Sequence, residues 1–280
     1  MSGPTPLYSS AELHAAFELR YGWTGWPSGG EFPSALNDDL VRHIDPLWQT
    51  DGLRLLESRI SFDQVQLTVS ATPQLTPIFV AARLKGRLQH ALRQVGAPVD
   101  FSRKVALRSI GHNRRVQVEA YIRDQTTKEP LADERFREFT VENKGVDLSK
   151  PTPTNSGRYW YNLHLVLVAE GRHRFVHLEP LTTIRDTCLG VAARKEHEIS
   201  VLSVMPDHVH MAMRGDLDQS PEQIALSYLN NLAYSLGQTK VWQSGYYAGT
   251  FSEYDMGAVR RCEAETSPAS SSGGDDSLGG

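Results

Sequence analysis

His208 and His210 flank Val209 in the run Met205-Pro206-Asp207-His208-Val209-His210, a spacing that can hold one divalent ion. In a strand, side chains at i and i+2 leave the same face, so the two imidazoles converge while Val209 turns into the core. Taken alone, the pair is also compatible with hydrogen-bonded histidines on a sheet. Tyr121 and Gln125 form a second constellation, four residues apart on a predicted helix and hence on one of its faces. Taken alone, they read equally as a helix-surface pair. A phenol, with an ordinary pKa of about 10, needs a target already made electrophilic. A metal bound to a phosphate oxygen makes phosphorus such a target, and the Gln125 amide oxygen offers a third ligand.

The histidine strand occurs once before with both imidazoles lost, as Phe62-Asp63-Gln64-Val65-Gln66. Repeats decide the fold class, and the match extends along the chain. At an offset of 144 residues, Leu19 falls on Leu163, Asp63 on Asp207, Val65 on Val209, Pro77 on Pro221 and Leu88 on Leu232. After a loop three residues shorter in the second copy the offset is 141, and Phe101 meets Trp242, Ser109 meets Thr250 and Tyr121 meets Cys262. The stretch equivalent to Tyr121 through Gln125 reads Cys262-Glu263-Ala264-Glu265-Thr266. Each half lacks what the other keeps.

Both copies share one coarse pattern. Tyr161 to Val168 alternates and is rich in leucine and valine, which predicts a strand, with a weaker partner at Phe17 to Thr24. Helices are predicted at Pro33 to Trp48 and Pro180 to Glu196. Paired strands follow, Arg59 to Asp63 with Val65 to Ser70, and Ile199 to Met205 with His208 to Arg214. Thr76-Pro77 and Ser220-Pro221 each place an N-cap before proline at the first helical position, opening helices to about Arg93 and Gly237. Final helices are predicted at Arg115 to Gln125 and Glu253 to Glu265. The expected division is 1–130, a linker at 131–157, 158–266, and a disordered tail at 267–280. The linker is charged and then rich in Pro, Thr, Ser and Gly, and the tail lacks the apolar residues to fold.

At 280 residues with 40% hydrophobic and 9% aromatic content, the chain has enough apolar side chains for two packed cores. Cys188 and Cys262 are the only cysteines and have no zinc or disulfide spacing, which favours a reducing cytoplasm. No membrane-spanning stretch or export signal is visible. A net charge of −4 argues against indiscriminate coating of nucleic acid, but it conceals a local field. From Phe79 to Gln125 ten basic residues face three acidic ones. A solvated helical face with a basic loop explains this excess as readily as a ligand does.

With these residues in hand, the chain resembles the HUH single-tyrosine transposases, which mobilise insertion sequences as single-stranded DNA, and their relatives associated with repetitive extragenic palindromes. The resemblance rests on the Met205-to-His210 strand, on Ser220-Pro221 opening the next helix, on Val241-Trp242-Gln243-Ser244-Gly245-Tyr246-Tyr247, and on Tyr121-Ile122-Arg123-Asp124-Gln125 as a nucleophile helix. It implies an α+β fold of two tandem HUH (ferredoxin- or RRM-like) domains, each an antiparallel sheet flanked by helices, arranged as a pseudo-dimer within one chain. Family dimers often dock the tyrosine helix of one subunit on the histidines of the other. By that likeness, Tyr121 and Gln125 from the first copy complete one site with His208 and His210 from the second, while Gln64, Gln66, Cys262 and Thr266 form a degenerate one.

The implied reaction is transesterification of hairpin-containing single-stranded DNA with Mg²⁺ or Mn²⁺, through a 5′-phosphotyrosine link. Arg103, Lys104, Arg108, Arg114 and Arg115 are expected to hold phosphates, with sharp salt dependence. Trp242, Tyr246 and Tyr247 are expected either to stack bases or to fill the core. Two other readings stay open: an inactive relic that binds hairpin DNA, and a nucleophile within the second copy itself, Tyr254 or Tyr246.

Overall fold

A computed structural model describes residues 5–128 and 134–254. Cys262, Thr266, the expected tail and, beyond Tyr254, the expected last helix lie outside the described residues. In chain order the elements are β1 (His14–Glu18), β2 (Arg20–Gly25), α1 (Asp38–Thr50), β3 (Leu53–Ile60), β4 (Val65–Ala71), α2 (Pro77–Gln94), β5 (Val105–Ile110), α3 (Arg115–Arg123) and α4 (Gln125–Lys128). The chain continues through β6 (Thr140–Glu142), β7 (Thr152–Thr154), β8 (Gly157–Trp160), β9 (Asn162–Ala169), α5 (Leu178–Arg194), β10 (Glu198–Met205), β11 (His208–Arg214), α6 (Pro221–Ser235) and β12 (Trp242–Thr250). Among the described residues, no helix is long and apolar enough to cross a membrane.

The helix starts follow local chemistry. Asn37 caps α1 by accepting from the Leu40 amide at 3.0 Å, with Asp38 and Asp39 favourably placed at the positive end of the helix. Thr76 accepts from the Phe79 amide at 3.2 Å. Ser220 and Gln223 exchange bonds of 2.8 and 3.2 Å in a reciprocal capping box. In both cases proline fills the first helical position, where its missing N–H is no loss.

The α+β expectation holds as two six-stranded sheets flanked by helices, one ordered β3-β4-β2-β5-β8-β7 and the other β1-β12-β9-β11-β10-β6. Read outward from β8 and from β1, five strands correspond in order: β8, β5, β2, β4, β3 in the first sheet and β1, β12, β9, β11, β10 in the second. The strand expected over Phe17 to Thr24 divides at Leu19, because the chain there passes from one sheet to the other. β1 pairs parallel to β12 of the second sheet, while β2 enters the first. The same passage recurs at Tyr161, where β8 pairs parallel to β5 and β9 enters the second sheet.

Both crossing residues are buried, Leu19 at 2% and Tyr161 at 1% exposure, and their carbonyls accept from corresponding amides, Ala71 at 3.0 Å and Gly215 at 3.1 Å. Buried hydroxyls secure each crossing. Thr250 Oγ1 accepts from the Arg20 amide at 2.8 Å, and Ser109 Oγ accepts from the Asn162 amide at 3.1 Å. Residues read from composition as linker are built into both sheets. Thr140–Glu142 adds antiparallel to β10, and Thr152–Thr154 pairs with β8, where Tyr159 is buried. Turn-forming residues had masked β-branched and aromatic positions that pack well in strands.

The second sheet uses its two faces differently. Val209, Met211 and Met213 enter the main core with Ile184 of α5 and Leu229 of α6. The alternate residues His208, His210 and Ala212 occupy the opposite face, where Ala212 packs with Val118 and Ile122 of α3, Val201 and Phe251. A helix from the first half thus covers part of the second-half sheet. Gly111, just after β5, allows this close approach, since a Cβ there would lie 2.2 Å from the Thr250 carbonyl oxygen. Gly111→Ala is expected to destabilise the protein by about 1–3 kcal/mol through backbone overpacking. A lowered urea midpoint is predicted, and an unchanged midpoint would contradict this contact.

Candidate active site

Strand alternation delivers His208 and His210 to one face, 7% and 6% exposed, with their ring centroids 4.9 Å apart and nearly perpendicular. The Asp207 carboxylate Oδ1 lies 2.6 Å from His208 Nδ1, and Arg172 reaches the other carboxylate oxygen at 3.2 Å. Burial opposes ionisation of Asp207, but the hydrogen bonds and charges of His208 and Arg172 outweigh it and hold the carboxyl below its ordinary value. An ionised carboxylate only accepts, so His208 donates from Nδ1, and Nε2 is the ring nitrogen left for another partner.

His164 on β9 joins the pair, a residue that the sequence motifs leave unmarked. Its Nε2 lies 3.0 Å from His210 Nδ1 and the rings stack at 5.2 Å. Burial pushes His164 down to about 4 and His210 down to about 2, with His164 and His208 adding repulsion on His210. Neutral imidazoles are the ligating form, and an Nδ1–H of His210 donating to His164 would leave the His210 Nε2 lone pair open. The alternation of Tyr161 to Val168 carried the signal for His164, a polar residue among aliphatic ones.

Tyr121 arrives from the first half. α3 buries Val118 and Ile122 and leaves Tyr121 44% exposed, its ring 5.5 Å from that of His210 and 6.0 Å from that of His164, both edge-on. A cavity of 440 Å³ opens there, lined by Asn113, Gln117, Tyr121, His164, His210 and Tyr247 among others. Gln125 is positioned differently from expectation. α3 ends at Arg123, and Gln125 begins α4, 7% exposed, with its amide nitrogen donating to the Tyr121 carbonyl at 2.9 Å. Among the described residues, no group of three or more His, Cys, Asp or Glu side chains is arranged to hold a metal. Of the expected ligands, His210 lines this cavity and Gln125 does not.

The other expected residues divide. Arg103 and Lys104 are exposed before β5. Arg115 pairs with Glu119 at 3.1 Å and with Glu253, so its cation is committed within the fold. The Arg114 amide donates to Gln117 Oε1 at 2.8 Å at the start of α3. Trp242 and Tyr246 are core residues, 1% and 3% exposed, whereas Tyr247 borders the cavity with its ring 5.6 Å from that of His164. Tyr254 is exposed, its ring 5.5 Å from the guanidinium of Arg108 on the first-half sheet. Gln64, Gln66 and Arg108 border a separate cavity on that sheet.

Residues 158–261 match the family model described as transposase, IS200-like, and the second half of the chain carries a domain of this single-tyrosine family. Tyr121 lies outside the matched range. Among solved structures, a putative transposase from Deinococcus radiodurans R1 is similar at 18% identity, over 37% of this chain and 88% of that one, with a TM-score of 0.29. A REP-associated tyrosine transposase bound to a REP hairpin is similar at 16% identity, over 36% of this chain and 61% of that one, with a TM-score of 0.29. No curated protein matches the chain.

Asp207 orients one candidate ligand without touching the cavity. Replacing the partner of a ligating histidine typically costs about 10–100-fold in metal affinity, and Asp207→Asn is expected to weaken Mn²⁺ binding by that amount in calorimetric titration. Affinity equal to that of the unsubstituted protein would remove Asp207 from the site.

Proposed function

We propose that the protein cuts and rejoins single-stranded DNA by transesterification at one centre built from both halves, with Tyr121 as nucleophile and His208, His210 and Gln125 as ligands for Mg²⁺ or Mn²⁺. The observation that carries this reading is the 5.5 Å approach of the Tyr121 ring to the His210 ring, across two halves of which each has lost the complementary residues. The fused halves then act as a pseudo-dimer. The family match over residues 158–261 supports the reaction class.

When bound, the metal would draw charge from the scissile phosphate and orient it for in-line attack. The chain supplies the rest. The Tyr121 oxygen forms a bond to phosphorus as the bond to the 3′ oxygen breaks. The phenol loses its proton, the departing 3′ oxygen gains one, and the product is a 5′-phosphotyrosine ester with a free 3′-hydroxyl. Because one phosphoester replaces another, the step reverses onto the same or another 3′ end without an external energy source. Asp207 with Arg172 holds His208, His164 supports His210, and exposed Arg103 and Lys104 offer phosphate contacts.

The turn of Gln125 toward its own helix end favours a second reading, a DNA-binding relic that does not cleave. Covalent capture of hairpin-containing single-stranded DNA separates the two. With Mn²⁺ present, capture is expected for the unsubstituted protein and for Tyr254→Phe. It is expected to be abolished by Tyr121→Phe, by His210→Ala and by chelation. Capture that survives Tyr121→Phe would refute the proposed nucleophile, and no capture by the unsubstituted protein would leave the relic.

A further inference from the structure

The first-half sheet carries a cavity of 530 Å³ on the face occupied in the second half by the histidines. Its wall includes Gln64, Gln66, Arg59, Arg108, Arg158 and Trp160. Gln64 and Gln66 stand at the strand positions of His208 and His210, 144 residues earlier. Among the described residues, neither amide side chain has a hydrogen-bond partner, so both keep donors and acceptors for a ligand. Three arginines against Glu57 make the wall net positive, which disfavours a divalent cation and favours an anion.

Arg108 gives the clearest sign of a ligand. Its guanidinium lies 3.9 Å over the Trp160 ring, and burial lowers its pKa. Among the described residues no carboxylate forms an ion pair with it, and the neighbouring Glu253 is held by Arg115. A half-buried cation resting on aromatic faces without a counterion is suited to an incoming anion. Trp160 is fixed by its Nε1–H donating to the Ser149 carbonyl at 2.8 Å, so its ring plane is set before anything binds. Arg158, exposed and opposite Ala106 in the parallel register, extends the positive wall along β8.

We propose that this face, having lost the residues for cleavage, is a binding site for single-stranded DNA: Arg108 and Arg158 hold backbone phosphates, Trp160 stacks a base, and Gln64 and Gln66 contact base edges. The class of ligand rests on the reading above, while the site stands on its own residues. Unpaired bases are required for stacking on Trp160, since in a duplex the stacking faces and Watson–Crick edges are engaged. Sequence-tolerant stacking combined with a cationic groove is the general chemistry of single-strand binding. The site would hold a second stretch of the strand whose scissile phosphate lies at Tyr121.

The test is fluorescence anisotropy on the full chain with a labelled single-stranded oligonucleotide in EDTA, where cleavage does not contribute. Arg108→Gln/Arg158→Gln is expected to weaken binding at least about tenfold and to flatten the salt dependence by roughly 0.7 per lost phosphate contact, about 1.4 in all. Arg158→Gln alone, at an exposed position that misfolding does not explain, is expected to give about half of that change in slope. Binding and slope unchanged in both variants would overturn the proposal, as would an equal loss for a duplex of the same sequence. The outcomes are separable from those at Tyr121. A protein that never captures DNA but loses single-strand binding in these variants refutes the chemistry and leaves this site standing, whereas capture with no effect of these variants does the reverse.

Discussion

The structure depends on the chain passing between sheets at two buried points, Leu19 and Tyr161. Each sheet gives up its leading strand to the other and receives one in return, with β1 beside β12 and β8 beside β5. The hydroxyls of Thr250 and Ser109 bind the backbone amides at these crossings, where an unpaired buried donor would be costly. Neither half has a complete sheet without the other. Since β5 ends against the end of β12, the helix that follows it is carried over the second-half sheet, and Tyr121 reaches the histidines without a long connection.

That placement is compatible with the unequal residues of the two copies. If a centre draws its imidazoles from one copy and its phenol from the other, loss of Gln64 and Gln66 as histidines removes one centre and leaves the second whole. The histidine face is braced from behind: His164 backs His210, and Asp207 with Arg172 holds His208. Its counterpart is cationic and aromatic, with Arg108 stacked on Trp160. The two faces share a strand scaffold and differ in the side chains that alternate outward.

Much of the fold was legible because local chemistry agreed with the final packing. The period-two pattern of His208 to Arg214 and the capped prolines at Pro77 and Pro221 led to the observed elements. The strand around Phe17 to Thr24 was legible as a strand but not as two, since nothing in an alternating pattern reports which sheet accepts each end. Composition likewise hid β6, β7 and β8. Of the candidate site, His208, His210 and Tyr121 were legible as residue types and spacing. His164 was missed because a lone histidine in a strand has no spacing to mark it. Gln125 shared a predicted face with Tyr121, but the helix ends at Arg123 and its amide bonds back to the chain. Arg115 has the residue type and place of a phosphate contact, but Glu119 and Glu253 engage its guanidinium, which spacing alone does not report.

The measurement that bears most directly on this account is the location of the DNA adduct. After reaction with single-stranded DNA and Mn²⁺, nuclease trimming and tryptic digestion, mass spectrometry is predicted to find the nucleotide mass on the peptide running from Val116 to Arg123, which carries Tyr121. An adduct on a peptide containing Tyr246, Tyr247 or Tyr254 would contradict a centre assembled from opposite halves.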